Sequence, residues 1–409
     1  MSVVAVLESN LAGNGAKVIQ AAKNKGYKTL FVCGNKEEYN NAIINPVNFA
    51  DEVAIVDSYD IAKLLSFFST YPDKIEVVMA FDDFRMIQAA IINEFLCINN
   101  SASVKSLINV RFKNLLREKL KDSEYFVKFK VLDNTDKNYN EPLEYPCVIK
   151  PVDESGSVGV KICRTKSESD DAIRYIMSLP KYNGRGFTVS KKILVEEYIE
   201  GPEFSAELVW DAHTYEWKLL GITKKFVTSG PFCVERAHIF PYADGSAFAK
   251  DVECHANKIF EKIGLKNTFV HMEFKFDNRR FSIIEINPRL AGGMIIELMN
   301  NAKGLNAAEL MLEASLNLPL SAVNNVGPDK ASAIFYITDD HKGNIIDVTV
   351  DDADFLSQIN IYPLPKKING LRSNEDRLGY VLLSNGNYSL IEERVRFYLD
   401  GNGIYITKS

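Results

Sequence analysis

Apolar runs of strand length and stretches of helical period alternate through the first hundred residues. VVAVLES, TLFVCG and VVMAF read as strands, and residues 13–25 and about 85–96 read as helices. Strands that are apolar throughout and separated by helices predict a parallel sheet covered on both faces. A helix near residues 110–121 follows, then strand-rich sequence including CVIK at 147–150 and residues 159–163. Residues 167–178 have helical spacing, with Ser167 and Asp170 as start signals. ILVEEYI at 193–199, residues 204–220 and residues 331–337 read as further strands. Near the end, YVLLSNG runs into a turn, and Ser389 with Glu392 reads as a capping box for a helix ending near Leu399. The expected class is α/β (α+β), with boundaries near 110 and 325.

With 409 residues the chain has room for two to four domains, and 46% hydrophobic with 25% charged residues is an ordinary globular composition. A net charge of −6 without a long basic run argues against a nucleic-acid surface. The N-terminus has no basic region followed by an apolar one, and no apolar run approaches membrane-spanning length, so no membrane association is expected. The six cysteines are scattered without CxxC spacing, which predicts free core thiols in a reducing cytoplasm. The five histidines are isolated, with no zinc-like spacing.

Four stretches carry candidate chemistry. LAGNGAK follows the first strand, but a dinucleotide fingerprint wants a glycine where Val18 stands, and a tight strand-to-helix turn is the plainer reading. Lys150 ends an apolar strand and is followed by PVDESGSVGV. The small-residue loop from Ser155 to Gly159, with Gly156 and Ser157, lets backbone N–H groups close over phosphate oxygens beside the lysine, although it lacks the GK[ST] of a P-loop and an ordinary hairpin turn is the alternative. VEEYIEGPE ends a strand in acids, turns, and places Glu203 just past the turn. Its exposed backbone suits an adenine edge, and a carboxylate there suits ribose hydroxyls.

The most informative stretch is FVHMEFKF followed by FSIIEINPRLAGG. A hairpin with a three-residue loop at 278–280 puts Glu273 opposite Glu285, with Asn287 on the same face. Two facing carboxylates repel, and a divalent cation with oxygen ligands relieves that. A salt bridge from Glu285 to a lysine or arginine is the alternative.

Together these residues resemble the ATP-grasp superfamily: Lys113 in RFKNLLREKL, Lys150 with its glycine loop, Glu196–Ile199 with Glu203, then Glu273, Glu285 and Asn287. The resemblance spans about residues 111–297. It implies an N-terminal Rossmann-like domain (1–110), an ATP-grasp domain (111–325, with a small lid lobe about 125–200 and a large-lobe part 201–325), and a C-terminal α+β subdomain (326–409). It further implies that Lys113 and Lys150 bind ATP phosphates, that Glu197, Tyr198 and Ile199 frame the adenine, and that Glu203 holds the ribose. Glu273, Glu285 and Asn287 would bind one or two Mg²⁺, with Mn²⁺ as a substitute.

The ending NPRLAGG, with Gly292, and the segment CVERAHIFP are similar to the L-amino acid ligases, which join two free amino acids through an acyl-phosphate. That resemblance implies that His238 and Arg289 face the substrate carboxylate and the reaction intermediates. It also implies that Asp83, or Asp82, holds the amino group of the first amino acid, with a cationic one such as arginine suited to two acids. Relatives are often dimers, so a homodimer is expected. The competing expectation is another ATP-grasp carboxylate–amine ligase, or a carboxylase of the biotin-dependent type.

Overall fold

The structure is a computed structural model that describes residues 2–133, 143–242, 246–277, 280–321, 330–351 and 354–409. Strands Glu52–Ile55, Lys28–Cys33, Ser2–Leu7 and Lys74–Ala80 lie in that order in a parallel sheet. Val3 through Leu7 are fully buried because helices cover both faces, which is why the run reads as continuously apolar. Glu52–Ile55, an edge strand with mostly exposed residues, escapes the sequence reading although it opens the short apolar run VAIV. The turn at Gly13 is the tight kind: φ is +83°, and a Cβ there would lie 2.8 Å from that of Ile44.

Strands Phe129–Leu132, Ile193–Glu197, Cys147–Pro151 and Lys161–Cys163 form a small antiparallel sheet under the helix Lys166–Ser178. That helix starts from Thr165, whose hydroxyl accepts from the Glu168 amide, and not from Ser167. The span expected to be one helix at 110–121 is two, Val104–Arg111 and Lys113–Lys119. They break at Phe112, which is extended (φ −97°, ψ 109°). The break frees the Lys113 amide to bond Val152 O at 3.0 Å, which ties Lys113 to the Lys150 strand.

An antiparallel sheet, eight-stranded among the described residues, carries the rest. Residues 204–220 are not one strand but the start of a hairpin, Glu203–Asp211 with Glu216–Val227. Ala331–Ile337 pairs with Glu235–Phe240, so this sheet runs across residue 325. The last helix, Tyr388–Leu399, is capped by Asn387, and the expected Ser389–Glu392 box does not form because Ser389 is already inside the helix. All six cysteines are free, but Cys97 and Cys254 are exposed where core thiols were expected. Among the described residues no helix is long and apolar enough to cross a membrane.

The hairpin Phe269–Phe276 with Phe281–Asn287 has the expected facing pair, Glu273 opposite Glu285, but reaches it differently. Phe276 pairs with Phe281, so four residues connect the strands, not three; two of them, Asn278 and Arg279, lie outside the described residues. The register then shifts between Glu273 and Phe274, because Ile284 is an extra residue on the second strand. Arg117 Nη2 donates to the Ile284 carbonyl at 3.1 Å, which satisfies the group the bulge leaves without a ladder partner.

Candidate active site

A cavity of about 560 Å³ lies between the small sheet and the large one. It gathers Lys113, Lys150, Ser155, Gly156, Ser157, Glu197, Tyr198, Ile199, Glu203, Glu273 and Glu285, drawn from six separated stretches of chain. Asn287, His238, Arg289, Gly292 and Asp83 lie outside its lining.

Three cations crowd one end. Lys150 Nζ is 2.6 Å from Glu196 Oε2, and Arg117 Nε is 2.5 Å from Glu196 Oε1. Lys113 Nζ is 3.0 Å from Glu285 Oε1 and donates to Glu154 O at 2.6 Å. Burial alone would raise the Glu196 carboxyl; Arg117 and Lys150 override that and hold it at about 2. Burial pulls Lys150 below the usual lysine range, helped by Arg117 and Lys113 and opposed by Glu196. An arriving anion would complete this set of charges. Arg117 was not singled out in the sequence, where it is one of many charges in a helix. Breaking its pair with Glu196 by Arg117→Ala should cost about 3–5 kcal/mol. The check is a lower urea midpoint at unchanged slope.

At the facing carboxylates, Lys225 Nζ lies 2.9 Å from Glu273, 2.7 Å from Glu235 and 3.4 Å from Glu203. Its side chain is 1% exposed. Lys225 too was missed, although a signal existed: two adjacent lysines in the apolar strand LLGITKKFV point to opposite faces, so one must point inward. Against the effect of burial, Lys225 and His271 hold Glu273 well below the carboxylate range. Glu285 carries the lysine partner of the salt-bridge alternative, so each facing carboxylate has a cation of its own. Asn287 is buried opposite His271.

His271 bridges two acids, with Nδ1 2.8 Å from Glu207 and Nε2 3.1 Å from Glu273. Burial would lower its pKa, but Glu207 and then Glu273 raise it to about 9. The raised folded-state value means that this group contributes stability fully below its unfolded value of about 6.5 and loses it as pH rises toward 9. Urea midpoints should therefore fall between pH 6.5 and 9, and His271→Asn should flatten that part of the curve.

At the hinge, Glu197 accepts from Arg280 Nη2 at 2.6 Å and from the Lys128 amide at 3.0 Å. The Tyr198 amide donates to Pro146 O, and Ile199 O accepts from Lys275 Nζ at 3.0 Å. Glu203 is raised by burial, with Lys225 opposing.

The residues expected to face the substrate form a second group. Arg289 clasps Asp83 through two bonds of 2.6 and 2.8 Å, so the two groups assigned to opposite ends of the first amino acid bind each other here. Asp82 closes the turn before the helix Met86–Phe95 by accepting from the Phe84 and Arg85 amides, and it also pairs with Arg85 and Arg185. Its charge is therefore matched inside the protein, which removes it from the case for a cationic substrate. His238 is buried, 3.6 Å from Glu235, and its ring packs edge-on against Tyr336. Tyr336 donates to Gly293 O at 2.8 Å, which brings the glycine pair beside His238.

Residues 143–297 match the family described as ATP-grasp domain. The chain is 27% identical over 178 residues to D-alanine--D-alanine ligase of Wolbachia pipientis wMel, covering 42% of this chain and 53% of that protein. It spans about half or less of the length of the curated relatives it matches. In three dimensions it resembles the L-amino acid ligase from Bacillus licheniformis at a TM-score of 0.78 and 19% identity, over 100% of this chain and 99% of that one. It also resembles the biotin carboxylase domain of Hydrogenobacter thermophilus 2-oxoglutarate carboxylase, solved with MgADP and bicarbonate: TM-score 0.65, 16% identity, 99% and 90% covered. The fold is that of the ATP-grasp proteins.

Proposed function

We propose that this chain, with its ATP-grasp fold, is an ATP-dependent carboxylate–amine ligase that joins two amino acids and releases ADP and phosphate. One observation carries the reading. A single cavity of nucleotide size holds two phosphate-type lysines, a small-residue loop, a hinge and two facing carboxylates. The full-length likeness to an L-amino acid ligase supports the choice of acceptor.

The donor set suits Mg²⁺. Among the described residues no group of three or more His, Cys, Asp or Glu side chains is arranged to hold a metal ion by itself. Two carboxylates completed by phosphate oxygens and water are the usual Mg²⁺ arrangement. Glu273 and Glu285, with Asn287 behind them, would hold the ion, and Lys113 and Lys225 occupy the two carboxylates in its place. When bound, it supplies charge that polarises the γ-phosphate. Lys113 and Lys150 hold the phosphate oxygens and Glu196 keeps Lys150 aimed. Glu203 takes the ribose, and the loop Ser155–Gly156–Ser157 closes over the phosphates and excludes water from the acyl-phosphate. Arg289 steadies the carboxylate that attacks and then the tetrahedral oxyanion, with Asp83 passing from Arg289 to the substrate amino group as the first amino acid enters.

The test is incubation with Mg-ATP and amino acids, singly and in pairs, with phosphate release measured and products identified by mass. A dipeptide formed together with one ADP supports the reading. Phosphate release that depends on bicarbonate and not on amino acids would assign the chain to the carboxylases instead.

A further inference from the structure

We propose that Glu154 is the base that takes the proton from the attacking amine in amide formation, an inference that rests on the ligase reading above. The cavity has seven glutamates among the described residues, and six of them already face a cation. Glu196 has Arg117 and Lys150, Glu197 has Arg280, and Glu285 has Lys113. Glu203, Glu235 and Glu273 share Lys225. A carboxylate held by a cation is a weak base. Glu154 differs: it is 6% exposed, and its carboxylate is met only by neutral donors, Asn183 Nδ2 at 3.3 Å and the Ser155 amide, among the described residues.

The surrounding charges fit that role. Asp153 is its neighbour in the chain, and Arg111 donates to the Asp153 carbonyl at 2.6 Å. Lys113 meets the backbone of Glu154 and not its carboxylate. Burial raises the Glu154 carboxyl and Asp153 adds to the rise, opposed by Asn183, the Ser155 amide and the more distant charge of Arg111, which makes no ion pair with it. A carboxylate moved toward neutral pH is a better acceptor for an ammonium-like proton. Position fits as well. Glu154 lines the cavity, its carboxylate accepting from Asn183, and its backbone carbonyl holds Lys113, whose other partner is Glu285. The phosphate loop begins at the next residue.

In the proposed step the lone pair of a neutral amine attacks the acyl carbon. The bond from that carbon to the phosphate oxygen breaks, phosphate leaves with the electron pair, and the proton on the new amide nitrogen passes to the Glu154 carboxylate.

The test uses the full chain with Mg-ATP and a pair of amino acids it joins, and compares the amine acceptor with hydroxylamine, which is largely unprotonated at neutral pH and releases its proton to water. Glu154→Gln should cut amide formation about a hundredfold while hydroxamate formation stays within about threefold of wild type. Glu154→Asp, which keeps a carboxylate one methylene back, should recover part of the amide rate. Equal loss with both acceptors, or an unchanged amide rate, would overturn the assignment of Glu154. A wild-type chain that forms no hydroxamate with any amino acid would instead overturn the ligase reading.

Discussion

Glu285→Ala should abolish ADP formation, with a loss on the order of a thousandfold, since a bound cation contributes several kcal/mol of charge stabilisation to phosphoryl transfer. Two effects act together. One of the two facing carboxylates disappears, which halves the anionic part of the cation site. Lys113 also loses the partner 3.0 Å away and becomes a buried cation held only by a carbonyl. Glu285→Gln separates the two, because it keeps the shape and a hydrogen-bonding oxygen while removing the charge. Both variants should raise the Mg²⁺ concentration needed for half-maximal rate. ADP formation near the wild-type rate in either one would show that Glu285 serves only as a partner of Lys113.

Arg289→Ala should lower amide formation by at least about a hundredfold, the scale expected for removing a preorganised charge beside a developing oxyanion. The variant should also lose stability. Asp83 is partly buried and is held below the usual carboxylate range, against burial, by Arg289. Deleting the guanidinium leaves that carboxylate unpaired. The double variant Asp83→Asn/Arg289→Ala distinguishes the two losses. Its thermal midpoint should recover toward wild type, because no unpaired carboxylate remains, while its rate should stay low. Recovery of the rate as well would make Arg289 a structural partner of Asp83 and nothing more.

The parts of this fold that were legible in the sequence are those where burial is two-sided or where a charge sits where charge is expensive. Val3–Leu7 announce a central parallel strand because nothing polar can be tolerated there. Glu285, flanked by Ile284 and Ile286, announces itself for the same reason. Lys113, Lys150, Glu273 and Glu285 were readable as candidates and share one cavity. Their partners were much less so. Lys150 shares Glu196 with Arg117, which lies 79 residues from that glutamate in sequence, and neither local period nor turn chemistry encodes such a distance. Helix starts failed for a smaller reason: Thr165 and Asn387 serve as caps as well as the neighbouring serines would, and only backbone geometry decides between them. Glu52–Ile55 was missed although VAIV is apolar: the run is only four residues long, and its exposure at the sheet edge follows from topology that local sequence does not carry.

The Ile284 bulge has a consequence for how this site can vary. Alignment of Glu273 with Glu285 is set on the sheet side of the turn, by an extra residue whose carbonyl is fastened to Arg117, itself locked to Glu196. The connection at 277–280 therefore has no part in aiming the carboxylates. Apart from Arg280, which fastens Glu197 at the hinge, the connection is free to drift, as a handle can be changed without resetting the jaws of a clamp, provided that the fastening at Arg117 is kept.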